Sequence, residues 1–569
     1  MKQTVLVSLL LLTAAACEPT QVTAPADHLF IGEHIITMRS PDDTPTALAV
    51  IDEEIVWLGR EEDAEDWIGS NTQVHQLGER ALLPGFIDAH GHLTYLAATL
   101  NWANLASPPV GSVTSIESLQ AKLRNYIAER GVPSGAWVIG NGYDDSLIAE
   151  QRHPTRDDLD EVSTDHPIAL IHVSGHLYAV NSQALELTGI DSDSADPAGG
   201  HMRRYAGSNV PNGVLEESAA YPIRALIQQP GENPIAALNE AVVLYASHGI
   251  TTAQDGAISA AAIELLERMD EEGSLTLDVV IYPIVRGVDN KAVDGMLFGR
   301  YANRLKFGGV KMVLDGSPQG KTAYLTEPYE IPPDGKGADY RGYPTHPVEM
   351  VDAMVAHFID RKIPILAHAN GDAAAEMLID AVDTATNHGE LTNHRTVMIH
   401  AQTVRDDQLD RMAELAMIPS FFSTHTFFWG DWHRDSVLGA VRGARISPTR
   451  SAMDKGITFT VHNDAPIVPP DMLRLLWSTT NRLTRSNQIL GPDERLTTYE
   501  ALAAVTRNAA YQYFEADRKG TLEVGKLADL VVLSGNPLDV RTVDLLSLEV
   551  TSTWSHGVLV YSQVVGGGG

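Results

Sequence analysis

Between residues 349 and 466 the chain repeats one two-part unit, a helix-spaced stretch followed at once by a short apolar run. EMVDAMVAHFIDRK leads into IPILAHANGD, AAAEMLIDAVDTA into RTVMIHAQT, DDQLDRMAELA into MIPSFFST, and SPTRSAMDKG into ITFTVHNDAP. In the first unit Met350, Val351, Met354, Val355 and Phe358 recur at helical spacing. Helices that return the chain to successive strands build a parallel sheet, and so many units in a row predict an α/β fold, a closed (β/α)8 TIM-like barrel. Functional groups in such a barrel stand where strands end.

Three segments break the rhythm. An insertion at about residues 95–245 separates PGFIDAHGH from the next strand candidate, GITTAQDGA, and is expected to cover the barrel mouth. A Gly/Pro/Tyr-rich segment, SPQGKTAYLTEPYEIPPDGKGADYRGYPTHP, and the segment THTFFWGDWHRDSVLG follow two other strand ends, where long loops carry substrate contacts. Short β-rich stretches at both ends of the chain, LFIGEHIITM to QVHQLGERALL and GTLEVGKLADLVVLSGNPL to TSTWSHGVLVY, predict one small β-sandwich domain built from residues 28–83 and 518–565. The barrel then takes 84–517. No repeat of fixed period occurs, and the one low-complexity tract is Gly566 to Gly569.

A formal charge of −33, from 41 basic and 74 acidic residues in 569, excludes nucleic acid and anionic lipid as surface partners. Residues 1–17, MKQTVLVSLLLLTAAAC, read as an export signal, and a polar linker follows at 18–27. Cys17, the one cysteine of the chain, stands behind three alanines as at a lipoprotein processing site, with an ordinary cleaved signal peptide as the alternative. The expected location is the periplasm or cell envelope, with membrane contact through a lipid anchor at Cys17. No other segment holds the roughly 20 apolar residues that a membrane span needs. The oligomeric state stays open, a homodimer being one option.

In PGFIDAHGH, His90 and His92 lie two apart behind an apolar lead-in and share one strand face. Two adjacent imidazoles make chemical sense when both face a cation. Other strand ends offer Lys311 in GGVKMVLDGS, His368 in PILAHANGD, His400 in VMIHAQ and Asp464 in TVHNDAP. A single buried histidine is usually a core residue, but four at one rim with a carboxylate form a ligand set, and nitrogen and oxygen donors without thiolate suit zinc.

The stretches LLPGFIDAHGH, SGHLYAVNSQAL, LDGSPQGKTAYL, HANGDAA, IHAQ, VHNDAP and GKLADLVVLS resemble, in order and spacing, the amidohydrolase superfamily and within it the YtcJ-like branch similar to N-substituted formamide deformylase. The resemblance implies two zinc ions per chain. One would be held by His90, His92 and Asp464 and the other by His368 and His400, with Lys311 bridging as a carboxylated lysine. An ammonium cannot sit between two cations, whereas a carboxylated amine is an anion with two oxygens. The alternative for Lys311 is an ion pair with Asp315 beside a one-metal site. The implied reaction is hydrolysis of a non-peptide amide or related C–N bond of a small molecule, with Asp464 as proton acceptor. A deaminase or dipeptidase of the same superfamily, or an inactive envelope-anchored binding protein, are the rival readings.

His176 in SGHLYAVNS matches a histidine of the branch that reaches into the site, with a core or capping role as the alternative; His172 has no such match. His425 is a candidate to bind substrate oxygen and Trp429, with Trp432, to form an apolar wall, against plain loop packing. Asn370 and Asp372 read as turn and helix-cap residues.

Overall fold

The computed structural model describes residues 24–227, 233–288, 293, 295–333 and 335–563. The export signal with Cys17, most of the 18–27 linker and Gly566 to Gly569 lie outside them. All four expected units form: Val348–Asp360 precedes strand Ile365–Ala369, Asp372–Ala385 precedes Val397–His400, Asp406–Glu414 precedes Ile418–Phe421, and Thr449–Asp454 precedes Thr460–Val461. These strands and Val310–Val313 make one five-stranded parallel sheet. Strands such as ILAHA and VMIH are buried throughout, which explains why they read as apolar runs without alternation.

A second all-parallel sheet joins Leu305–Phe307, Asp278–Pro283, Ile250–Ile258 and Phe86–Ile87. The two sheets meet at both edges. Ile284 bridges Lys311 in parallel, and at the other side the Asp464 N–H donates to His90 O (3.1 Å) and the His92 N–H to Ala465 O (2.8 Å). Strands of both sheets share one apolar cluster, with Ile87, Val280, Leu366, Ile399 and Ile418 under Tyr513. The ladders stop short of one continuous sheet because Phe86–Ile87 and Thr460–Val461 are only two residues long. Gly308 and Gly309 also separate Leu305–Phe307, at the edge of one sheet, from Val310–Val313, at the edge of the other.

The chain ends form two four-stranded sheets, ordered Glu54–Gly59, Ala47–Ile51, His28–Ile31, Gln73–Gln76 and Val558–Ser562, Val550–Ser555, Leu530–Leu533, Ala81–Pro84. Phe30, Leu48, Val50 and Ile55 of the first share a core with Leu530, Val532 and Trp554 of the second.

The insertion is not a plain loop. It carries its own six-stranded sheet, in the order Gly200–Arg204, Pro211–Glu217, Leu177–Val180, Ile168–His172, Val138–Tyr143, Ala103–Asn104. A separate core of Leu105, Leu119, Leu123, Val138, Tyr143 and Leu170 holds it together. The segment expected to be a loop after Phe421 is helical: His425–Trp432, a π-helical turn over His433–Val437, then Gly439–Gly443. Phe428, Trp429, His425 and Thr426 are all buried, so apolar and polar residues alike face protein and leave no periodic polar face to read. No helix among the described residues is long and apolar enough to cross a membrane.

Candidate metal centre

The strand ends bring all six expected residues together. His90 and His92 follow Phe86–Ile87, Lys311 lies in Val310–Val313, His368 in Ile365–Ala369, His400 ends its strand, and Asp464 follows Thr460–Val461. Asp464 Oδ1 lies 3.1 Å from His92 Nε2 and 3.4 Å from His90 Nε2. Lys311 Nζ is 3.1 Å from His90 Nε2, and His400 Nε2 is 3.0 Å from His368 Nδ1 and 3.9 Å from Asp464 Oδ2. His400 (φ 73°) and Asp464 (φ 57°) adopt left-handed backbone conformations at the points where their strands end. For side chains this bulky such conformations cost on the order of 1–3 kcal/mol each, a strain that gathers at functional sites.

Neighbours fix the rings. His90 Nδ1 donates to Gln254 Oε1 (2.6 Å), which leaves Nε2 as a lone pair toward Asp464 and Lys311. Gln254 is itself oriented by donating to Ala89 O (3.0 Å) and Tyr513 OH (2.7 Å). Burial, with Lys311 and other histidines alongside, holds His90, His368 and His400 well below the usual histidine pKa, so the rings are neutral near pH 7. Burial works against the charge of Asp464, yet His92, His462 and Lys311 keep its carboxyl below the usual range.

Three neutral imidazoles and a carboxylate thus converge. Asp464 Oδ1 is buried and has no hydrogen bond of acceptable geometry, and the facing nitrogens of His368 and His400, 3.0 Å apart, have room for no more than one proton between them. A divalent cation supplies the missing partner, and this donor set fits one.

The alternative pairing of Lys311 is not what forms. The strand ends at Val313, so the side-chain parity that would place Lys311 and Asp315 together lapses. Asp315 instead accepts the backbone N–H groups of Asn370 (3.0 Å), Gly371 (2.8 Å) and Tyr324 (2.9 Å). Burial lowers the Lys311 pKa to about 7, against the pull of Asp464, so half of the amine is neutral near pH 7.

The remaining expected residues lie around this cluster. The His176 ring stands 4.9 Å from that of His368 and its Nδ1 donates to Glu217 Oε2 (2.8 Å). Burial pulls the His176 pKa down, but the Glu217 carboxylate raises it overall. His425 is buried between Phe422 and Trp429, with Nδ1 3.0 Å from His433 Nε2. The Trp429 indole donates to Asp144 Oδ2 of the insertion (2.7 Å), and Trp432 to Gln319 O (3.1 Å). Asp372 is the first residue of its helix and not the cap, which is Gly371, and its carboxylate accepts the Thr326 N–H (2.9 Å), while Asn370 donates to Gly316 O beside His368 (2.9 Å).

His462 was not anticipated. It is fully buried, both ring nitrogens lack a hydrogen bond, and its ring lies 5.2 Å from those of His90 and His400. It precedes Asp464 by two residues, the same spacing that singled out His90 and His92.

Two other groups of donors differ from this centre. Asp145 gives one oxygen to a hydrogen bond with His172 (2.9 Å) and holds the other 3.5 Å from His153, whereas Asp464 turns a single oxygen to both its histidines. Among Asp278, Asp529 and His556, the Lys519 ammonium already lies 2.5 Å from Asp278.

Residues 73–561 match the amidohydrolase family. The N-substituted formamide deformylase of Arthrobacter pascens is 27% identical over 95% of this chain and 99% of its own length. A Bacillus subtilis (strain 168) protein designated amidohydrolase YtcJ is 27% identical over 94% of this chain and 99% of its own. The crystal structure of an uncharacterized metal-dependent hydrolase from Pyrococcus horikoshii OT3 superposes with a TM-score of 0.70 at 23% identity, covering 90% of this chain and 99% of that one, which makes the fold TIM-barrel-like α/β. With a family match that spans both parallel sheets and every residue of the centre, the chain belongs to the amidohydrolase family.

Proposed function

We propose that this chain hydrolyses a non-peptide amide or related C–N bond of a small molecule, with divalent metal held at the strand ends. The observation that carries this reading is the buried, unpartnered Asp464 Oδ1 between His90 and His92, next to the facing pair His368 and His400. His90, His92 and Asp464 would hold one ion and His368 and His400 a second, with Lys311 carboxylated as the bridge; nitrogen and oxygen donors favour zinc. Metal at this position supplies Lewis acidity toward a carbonyl oxygen and lowers the pKa of water.

The chain's own groups do the rest. Asp464, ionised and close to His92, accepts the proton of the attacking water and returns it to the leaving nitrogen. His176 reaches in from the insertion to orient the acyl oxygen, while His425 and Trp429 line the side beneath Phe422. The Arthrobacter relative, an N-substituted formamide deformylase, supports an amide that is not a peptide bond.

In this reading the two parallel sheets work as one closed (β/α)8 barrel over 84–517, and the sheets of the chain ends as a β-sandwich over 28–83 and 518–565. Residues 1–17 direct export to the periplasm or envelope, with lipidation at Cys17.

Metal analysis of the purified chain, joined to a screen of N-acyl amines, N-acyl amino acids and lactones, tests the proposal. About two ions per chain and turnover of an amide are expected. A chain that binds no zinc or manganese, or that turns over only deamination substrates, would refute it.

A further inference from the structure

We infer that Glu217, carried by the insertion, is a positioning residue for the reaction: its carboxylate fixes His176 with Nδ1 protonated and leaves Nε2 as the atom presented to substrate. The inference rests on the amide-hydrolase reading above for what His176 does, but its geometry stands apart from it.

Glu217 ends the strand Pro211–Glu217, and its N–H donates to His176 O at 2.9 Å, so the two residues are already paired through the backbone. Its side chain then uses both oxygens. Oε2 accepts from His176 Nδ1 (2.8 Å), and Oε1 accepts from Thr322 Oγ1 (2.8 Å), a residue of the segment beyond Val310–Val313. A carboxylate accepts only, so the proton between them belongs to Nδ1 and the ring is held in one tautomer. With one hydrogen bond to each oxygen, the Glu217 carboxylate is held between Thr322 and the ring it orients.

Two further observations show that the position is built. Glu217 has φ 50° and ψ −120°, a backbone region that side chains rarely enter and glycine occupies freely, yet the residue is glutamate. Its Oε1 also lies where a Cβ on Gly316 would stand (2.3 Å), so the neighbouring strand end has been left without a side chain to admit the carboxylate. Gly316 O in turn is 3.1 Å from His368 Nε2, which places the carboxylate, the His176 ring and the metal centre in direct succession.

A carboxylate that merely pins the insertion to the sheets predicts a loss of stability. A positioning carboxylate predicts a change in His176 itself. The test uses the full chain with 15N-labelled histidine, with the His176 signals assigned by their loss in His176→Ala. In the wild type and in Glu217→Gln, whose amide oxygen can still accept from Nδ1, the ring should show the Nδ1-protonated tautomer. In Glu217→Ala and Glu217→Gly it should show a mixture. Glu217→Gly also relieves the backbone, so that variant is expected to fold with an unchanged or higher Tm.

In parallel, kcat should fall about 10–100-fold in the Ala and Gly variants with KM and metal content little altered, and Gln should recover most of it. In the His176→Ala background Glu217→Ala should cost nothing more. An unchanged tautomer in Glu217→Ala, or an equal loss of kcat in the His176→Ala background, overturns the inference. If the wild type hydrolyses no amide, the functional reading fails while the tautomer still decides the role of Glu217.

Discussion

Gln254 Oε1 accepts the Nδ1 proton of His90 at 2.6 Å and so determines which nitrogen of that histidine faces the metal centre. Gln254→Leu removes the acceptor inside a buried site and frees His90 to take the wrong tautomer. Metal affinity should fall about 10–100-fold, the range found when the partners behind metal ligands are removed. Competition with a chelator measures it. Affinity equal to that of the wild type would mean that Gln254 only fills space.

Lys311 is expected to make metal loading depend on both bicarbonate and pH. Burial lowers its pKa to about 7, so the neutral amine is the minor form at pH 6 and gains as pH rises to 8. Only the neutral amine reacts with carbon dioxide. Stripped protein should therefore regain its second ion readily at pH 8 with bicarbonate, and slowly at pH 6 or without it. Lys311→Ala should hold about one ion per chain, with partial rescue by acetate or propionate; unchanged metal content in that variant rejects the bridging role.

The charged network below the sheets should govern stability in acid. Lys519 Nζ lies 2.5 Å from Asp278 Oδ2 and 2.8 Å from Glu515 Oε2, and Lys306 Nζ 2.6 Å from Glu515 Oε1, all buried. Burial opposes each charge, yet Lys519 holds both carboxyls below their usual range and is itself raised above the usual lysine range. A depressed carboxyl stabilises the fold above its unfolded pKa and loses that contribution as pH falls through the folded value. A raised lysine does so below its unfolded pKa and loses it in base. The pairs that Lys519 makes with Asp278 and Glu515 contribute fully between about pH 5 and 10, whereas burial lowers the Lys306 pKa and gives that lysine no such contribution. Lys519→Met, which removes the ammonium shared by Asp278 and Glu515 and leaves Glu515 with Lys306, should cost about 3–5 kcal/mol at pH 7 and less at pH 3. Urea unfolding at the two pH values gives the comparison, and a cost independent of pH would contradict it.

Gly316→Ala should separate the insertion from the centre without touching a ligand. The added Cβ would stand 2.0 Å from Thr322 Oγ1 and 2.3 Å from Glu217 Oε1, so one of them must move. Overpacking of this kind costs about 1–3 kcal/mol. Turnover is expected to fall more than Tm and metal content indicate, which parallel kinetics and metal analysis would check.

Much of the centre was legible because its residues interrupt strands that are otherwise wholly apolar. His90, His92, Lys311, His368, His400 and Asp464 all stand out in that way. His462 satisfies the same two-residue spacing, but beside Asp464 a lone histidine in a buried strand is indistinguishable from a core residue. Gln254 sits inside GITTAQDGA, where an amide in a buried strand has no visible partner until Ala89 and Tyr513 are placed around it. Glu217 gives no signal at all, since a glutamate at the end of a short strand looks like any solvated carboxylate until His176 and Thr322 are placed around it. The helix–strand alternation was clear from residue 348 onward, where amphipathic faces exist. It was lost over His425–Trp432, where almost every side chain is enclosed. The Lys311 to Asp315 pairing failed for a local reason, the end of the strand at Val313, which no count of spacing reveals.

The strand Ala81–Pro84 pairs with Leu530–Leu533 and runs directly into Phe86–Ile87 and then His90. The first histidines of the centre are therefore anchored by backbone that a ribosome makes hundreds of residues later. A nascent chain carrying every ligand still lacks the strand that holds two of them in place, so competence to bind metal should arrive late in synthesis and abruptly. Shortening the chain to before residue 530 would leave the ligand set intact in composition and unmoored in space.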